Sequence, residues 1–174
     1  MAIFVGLLII RQKLSLERSV WKQGRSQQYH FTISYPQTWQ QSEDGPLFSL
    51  VDTKSRAKEF RSYIRFGLPD SIKSKDDFDK IDQLSENTDI SKFFASSDLT
   101  KRSVVKTRNL MVDGQNGFGV YEESLMPGPY FSDGVYILEN DKVYYIHLTS
   151  SAKEELAREK PIFENILATF KFNS

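Results

Sequence analysis

Residues 135–146 carry two apolar runs on either side of Asn140-Asp141: Val135 to Leu138 before it and Val143 to Ile146 after it. A two-residue loop of this chemistry favours a tight hairpin turn with positive φ, and the turn sets the register of its strands. Leu138 then faces Val143, Ile137 faces Tyr144, Tyr136 faces Tyr145, and Val135 faces Ile146. Successive residues of a strand point to opposite faces, so both faces of this hairpin are apolar or aromatic. A sheet with one wet face would alternate cleanly. A hairpin greasy on both sides belongs at the centre of a sheet that is covered on both sides. That single feature excludes an open two-layer fold.

The flanking segments supply the cover. Tyr29, Phe31, Ile33 and Tyr35 alternate with His30, Thr32 and Ser34, a strand that Pro36 ends because it has no amide hydrogen for a ladder. Leu47–Val51 reads as a second strand. A third follows, with Phe60, Ser62, Ile64 and Phe66 on one face and Arg61, Tyr63 and Arg65 on the other. Ser74 with Asp77 forms a capping signal for a helix carrying Phe78, Ile81 and Leu84 on one side. Ile90, Phe93 and Phe94 form a shorter helical patch behind Thr88 or Asp89. Asp113-Gly114 and Asn116-Gly117 both favour tight turns, so Val104–Val112 is expected to pair with Phe118–Met126. Ser151 to Glu154 reads as a capping box, and Pro161 either kinks the last helix or starts it anew. Ile162, Phe163, Ile166, Leu167 and Phe170 give that helix a wide apolar stripe that has to pack on the sheet. The order predicts an α+β fold: an α/β/α sandwich whose mainly antiparallel central sheet is covered by helices on both faces.

At 174 residues the chain predicts one domain, and it can bury a core without a metal or disulfide staple. Its 23 basic and 23 acidic side chains cancel, so no global field draws it to nucleic acid. It has no cysteine, which excludes a disulfide framework, thiolate metal sites and thiol catalysis. Met1–Ile10 is the anomaly, ten residues without a charge before Arg11 and Lys13. Ten apolar residues are too few to cross a bilayer, which takes about 20, and no basic region precedes them as in a secretory signal. The segment reads as the remnant of an anchor or signal, with a short interfacial anchor and docking on the domain's own core as alternatives. Phe4, Leu7, Leu8, Ile9 and Ile10 are its candidate membrane residues. If a helix continues through residue 22, Gly24 could stop it. Residues 1–26 are thus expected to be an apolar segment with a basic stalk, and 27–174 the folded domain. A basic stalk suits an anionic membrane surface.

A search for chemistry finds no positive feature for an enzyme. No G-x-S-x-G elbow, H-E-x-x-H pair or Walker loop occurs. Gly114 to Gly119 is glycine-rich but is followed by no helix, so it reads as a turn and not a phosphate cradle. Glu122 and Glu123 are adjacent, so on a strand they point apart. The acidic run Asp76 to Asp89 is better explained as a solvated helix face than as a metal site. His147 falls opposite Gly134 in the hairpin register and reads as a structural histidine. No catalytic, cofactor-binding or metal-ligating residue is expected. The best contact candidates are Arg61, Tyr63 and Arg65, residue types favoured at interface hot spots, set against a charged strand that merely protects an edge.

Phe31-Thr32-Ile33-Ser34-Tyr35-Pro36-Gln37-Thr38-Trp39 resembles the opening strand of PsbP-like and Mog1-like domains, which read F-x-I-x-Y-P-x-x-W. Pro161 to Phe172 looks like their final helix, often ending in T-F, and the resemblance covers residues 27–172. It implies the α/β/α sandwich just described and a non-enzymatic binding or assembly module. Members include extrinsic subunits of photosystem II, bacterial lipoproteins and a binder of a small GTPase. No lipobox cysteine is present here, and no binding residue of the family maps onto this chain. The resulting expectation is a membrane-associated module that docks on a membrane protein complex or membrane surface, on the extracytoplasmic side (periplasm, lumen or cell surface), with the cytoplasmic side as the alternative. No nucleic acid and no cofactor is expected. The competing expectation is a small-molecule-binding or hydrolytic domain with a pocket between sheet and helix near His147.

Overall fold

The computed structural model describes residues 21–42, 48–53, 62–69, 72, 74–94, 102–124 and 129–173. Among the described residues, ten strands and two α-helices follow one another as β1 (Trp21–Ser26), β2 (Phe31–Pro36), β3 (Trp39–Ser42), β4 (Phe48–Asp52), β5 (Tyr63–Gly67), α1 (Lys75–Asp82), a 3₁₀ turn (Ser91–Phe94), β6 (Arg102–Val112), β7 (Gln115–Ser124), β8 (Tyr130–Glu139), β9 (Lys142–Ser150), α2 (Lys153–Thr169) and β10 (Lys171–Phe172). Seven strands form one sheet in the order β3-β4-β5-β9-β8-β7-β6, and β1-β2-β10 form a second. Every pairing is antiparallel.

The central hairpin adopts the register its turn dictates: Leu138 opposes Val143, Tyr136 opposes Tyr145, and Val135 opposes Ile146. Asn140 and Asp141 both have positive φ, 50° and 60°, as a two-residue turn matched to strand twist requires. Its two faces enter two separate cores. Val135, Ile137, Ile146 and Leu148 join Phe31, Phe66, Phe163 and Phe170 on one side, under α2 and the small sheet. Tyr136 and Val143 join Phe78, Ile81, Phe94 and Phe118 on the other, under α1 and the 3₁₀ turn. The α+β sandwich is therefore the observed architecture. Phe31 is the pivot of the first core, with ring centroids 4.2 Å from Phe66, 5.0 Å from Phe48 and 5.1 Å from Phe170.

Several local expectations give way. Trp21–Ser26 is a strand, paired Gly24 to Ile33 and Trp21 to Pro36, and not the tail of a helix. The folded unit therefore includes residues assigned to the stalk, and the boundary at Gln27 lies inside a β-hairpin. The physical reason is Gly24: a Cβ there would come 2.7 Å from the Tyr35 ring and 2.9 Å from the Gln41 side chain, so glycine permits close approach rather than stopping a helix. Asn116-Gly117 lies within β7; Asp113-Gly114 alone makes the turn, with Val112 opposite Gln115. Gly117 is needed because a Cβ there would meet the Tyr136 carbonyl at 2.8 Å. Ala152, and not Ser151, is the N-cap of α2, and it gives no side-chain bond. Helix α2 continues through Pro161 as one element. Ser74 does cap α1, its hydroxyl accepting from the Asp77 amide at 3.1 Å.

The outer edge of β6 is covered at Val104–Lys106. Lys106 donates its amide to Thr88 O, while Asn87 and Ile90 donate theirs to Lys106 O and Val104 O. An edge closed by such a segment cannot template another strand.

Candidate functional site

Strand β5 lies inside the large sheet, between β4 and β9. Its even residues, Ile64 and Phe66, are 2% exposed and face the α2 core, so its odd residues must face the α1 side. Arg65 is exposed there and Tyr63 half-buried. The register sets Arg65 opposite Ser49 on one flank and His147 on the other, and Tyr63 opposite Val51 and Thr149. Residues directly opposite in an antiparallel pair share a face. Continuing across the sheet, Thr149 opposes Ser132, and Ser132 opposes Glu122. One face therefore has an apolar half sealed by α1 and the 3₁₀ turn and a polar half running from Ser49 to Glu122.

The polar half grades from open to closed. Ser132 and Glu122 are buried, as is Thr149, whose hydroxyl lies 3.4 Å from that of Ser132. Arg65 stacks on Tyr63, its guanidinium carbon 4.4 Å from the ring centroid. Among the described residues no carboxylate pairs with Arg65. This geometry holds the guanidinium plane still while its N–H donors face outward.

His147 is placed as the hairpin register demands, opposite Gly134. Its ring lies across the glycine: a Cβ at 134 would come 2.2 Å from Cδ2 and 2.6 Å from Nε2. Tyr136 and Tyr145 meet it edge-on at 5.3 and 4.9 Å. The imidazole is thus a packed wedge between two tyrosines, in keeping with a structural histidine. His30, the other histidine, lies on the exposed β1–β2 turn with φ 51°.

The opposite face carries charge under α2. Lys160 pairs with Asp133, and Arg108 on β6 pairs with Glu164. Glu159 is buried; desolvation first, and Asp52 second, push its carboxyl above the usual carboxylate range. Lys171 lies 2.6 Å from Asp113 and lowers its carboxyl, tying the β6–β7 turn to β10. Glu122 and Glu123 separate as expected, Glu122 into the sheet and Glu123 to Lys153. Among the described residues no three histidine or acidic side chains are grouped to hold a metal, and no helix is long and apolar enough to cross a membrane.

Of the contact candidates, the structure brings Tyr63 and Arg65 together; Arg61 lies outside the described residues. So do Phe4, Leu7, Leu8, Ile9 and Ile10. Sequence reasoning missed Ser49 as the cross-strand neighbour of Arg65, because the only signal is a strand register set by tertiary pairing.

A ten-stranded sandwich whose second, smaller sheet and long C-terminal helix cover one face of the main sheet is a PsbP-like fold. No family model matches the sequence, and no curated protein matches it significantly. Solved structures do. Cyanobacterial PsbP (CyanoP) from Synechocystis sp. PCC 6803 superposes with a TM-score of 0.55 at 14% identity, over 88% of this chain and 92% of that one. LpqN of Mycobacterium tuberculosis, involved in cell envelope biogenesis, gives 0.52 at 10% identity, over 83% of each chain. PA94 of Pseudomonas aeruginosa, of unknown function, gives 0.50 at 12% identity, over 86% of this chain and 94% of that one. At these identities the likeness is one of fold.

Proposed function

We propose that this chain is a non-catalytic binding or assembly module that docks on a membrane protein complex, on the extracytoplasmic side, through the open end of the β5 face. The observation that carries this reading is the Tyr63–Arg65 pair. It points outward from an internal strand, contributes nothing to either core, and lacks an acidic partner among the described residues. Arg and Tyr held in such a geometry are typical interface anchors. Two similar folds fit this role: a cyanobacterial PsbP, and a protein involved in cell envelope biogenesis. The apolar segment Phe4–Ile10 would supply membrane attachment, with the basic residues that follow it lying at the lipid surface.

The test is fractionation of native cells, followed by co-sedimentation of the purified chain with native membranes. Wild type is expected in the membrane fraction and to bind membranes saturably. Arg65→Glu is expected to melt within about 0.5 kcal/mol of wild type, as exposed substitutions do, yet bind membranes at least tenfold more weakly at low salt. A wholly soluble native protein that ignores membranes would refute the reading.

A further inference from the structure

Three side chains at the open end of the β5 face are donors without a hydrogen-bond partner among the described residues. Arg65 and Tyr63 share one strand, and Ser49 stands directly opposite Arg65 on β4. The Ser49 hydroxyl and Tyr63 phenol, both half-buried, make no hydrogen bond among the described residues, and Arg65 makes only its stacking contact with Tyr63. Asp52, the acid on β4 itself, is buried and belongs to the other face of that strand, with Phe48 and Leu50. A cluster that offers three donors, with no carboxylate paired to it among the described residues, is complementary to an anion. The guanidinium fork matches a carboxylate bidentately, and a hydroxyl or phenol beside it can supply the further donor such a group accepts.

We infer that Ser49, Tyr63 and Arg65 form a seat for one carboxylate side chain of an acidic protein segment. The inference rests on the docking reading above and specifies what that face recognises. Charge density favours a peptide over a lipid surface. Attraction to anionic lipid is built from several cations at about 1 kcal/mol each, whereas Arg65 is the only exposed cation among the residues of this face whose side chains are described. Lys106, on the same face, is fully buried and donates to carbonyls of the α1 end. One stacked arginine flanked by hydroxyls instead suits a single carboxylate at a set position. Tyr63 fixes the fork, and Ser49 sets the side from which the carboxylate enters.

The experiment is an NMR titration that follows the Arg65 Nε–Hε signal in the full chain, with N-acetylated, C-amidated hexaglutamate as probe. Hexaglutamate is expected to shift that signal saturably. Arg65→Gln should weaken binding at least tenfold, and Ser49→Ala and Tyr63→Phe about two- to fivefold each, with signal dispersion elsewhere unchanged. Binding should weaken between about 50 and 500 mM salt, because exposed charges are screened. Hexalysine should have no effect. An Arg65 signal unmoved by hexaglutamate would overturn the inference, as would Ser49→Ala and Tyr63→Phe variants that bind as wild type does. Binding to vesicles of 70:30 phosphatidylcholine and phosphatidylglycerol but not to hexaglutamate would overturn it in favour of lipid. If native membranes still capture the chain while hexaglutamate does not bind, the seat fails and docking stands; if membranes fail to capture it, docking itself fails.

Discussion

Lys106 is fully buried in β6. Its Nζ donates to Asp82 O at 2.5 Å and to Leu84 O at 2.7 Å, carbonyls at the C-terminal end of α1 that have no partner further along the helix. Burial lowers its amine from the ordinary lysine value, and Asp82 and Glu86 oppose that shift. Lys106→Met keeps most of the aliphatic stem beside Phe118 and removes the donors. Two orphaned carbonyls cost about 1–3 kcal/mol each. Against this, the variant no longer desolvates an ammonium, which returns part of that sum. The net expectation is a loss of about 2 kcal/mol, or about 4–8 °C in Tm for a domain of this size. Helix α1 has eight residues and could not persist alone, so the loss should be felt there first. Urea melts give the global value, and amide exchange of residues 75–84 gives the local one. A Met variant as stable as wild type, with unchanged protection in α1, would show that the ammonium serves no capping role and that Phe78 and Ile81 alone hold the helix.

Trp39 is 1% exposed in the α2-side core, and Trp39→Ala should cost ~3–5 kcal/mol in denaturant melts; a loss below about 1 kcal/mol would refute its placement. Gly134→Ala would drive a methyl into the His147 ring and should cost about 1–3 kcal/mol, as overpacking does. The Gly134→Ala, His147→Ala double variant should be less damaged than the two single losses predict, measured by a double-mutant cycle. Glu159 holds its proton in the folded state to higher pH than in the unfolded chain, where the carboxyl titrates near ~4.3. The stability it contributes is complete below that unfolded value and is lost as pH rises through the folded one. Glu159→Gln should therefore melt above wild type at pH 7, with the gap closing below about pH 4; an unchanged gap across that range would refute the assignment.

What the sequence disclosed depended on how local each determinant was. The central hairpin was legible because a two-residue turn and its neighbours set the whole register, down to His147 opposite Gly134. The Ser74 cap was legible for the same reason, since its bond spans three residues. Strands β1 and β3 were not. Trp21-Lys22-Gln23-Gly24 and Trp39-Gln40-Gln41-Ser42 lack an apolar alternation, and both lie at sheet margins where backbone pairing and one large ring suffice. Asn116-Gly117 carries the same turn signal as Asp113-Gly114, but its glycine serves the close approach of β8. Lys106 gave no signal at all, because a lysine at an apolar strand position reads as an exposed residue until the carbonyls it reaches are known.

The candidate site shows the same division. Alternation along β5 was enough to separate Tyr63 and Arg65 from Ile64 and Phe66. It could not show which strands flank them, since β5 pairs with β9 across a long stretch of intervening chain. That pairing decides the chemistry of the face. It sets a packed histidine and buried hydroxyls beside Arg65 on the β9 side, and a half-exposed serine on the β4 side. In the inward half of the row, Thr149 lies within hydrogen-bond reach of Ser132, and His147 packs between Tyr136 and Tyr145. At the β4–β5 end, Ser49, Tyr63 and Arg65 make no hydrogen bond among the described residues. A strand whose buried face is fully apolar has no structural need of an arginine on the other face, and surface burial does not select one stacked on a tyrosine. On the docking proposed above, this is the end of the face that a partner's carboxylate would meet, without disturbing either core.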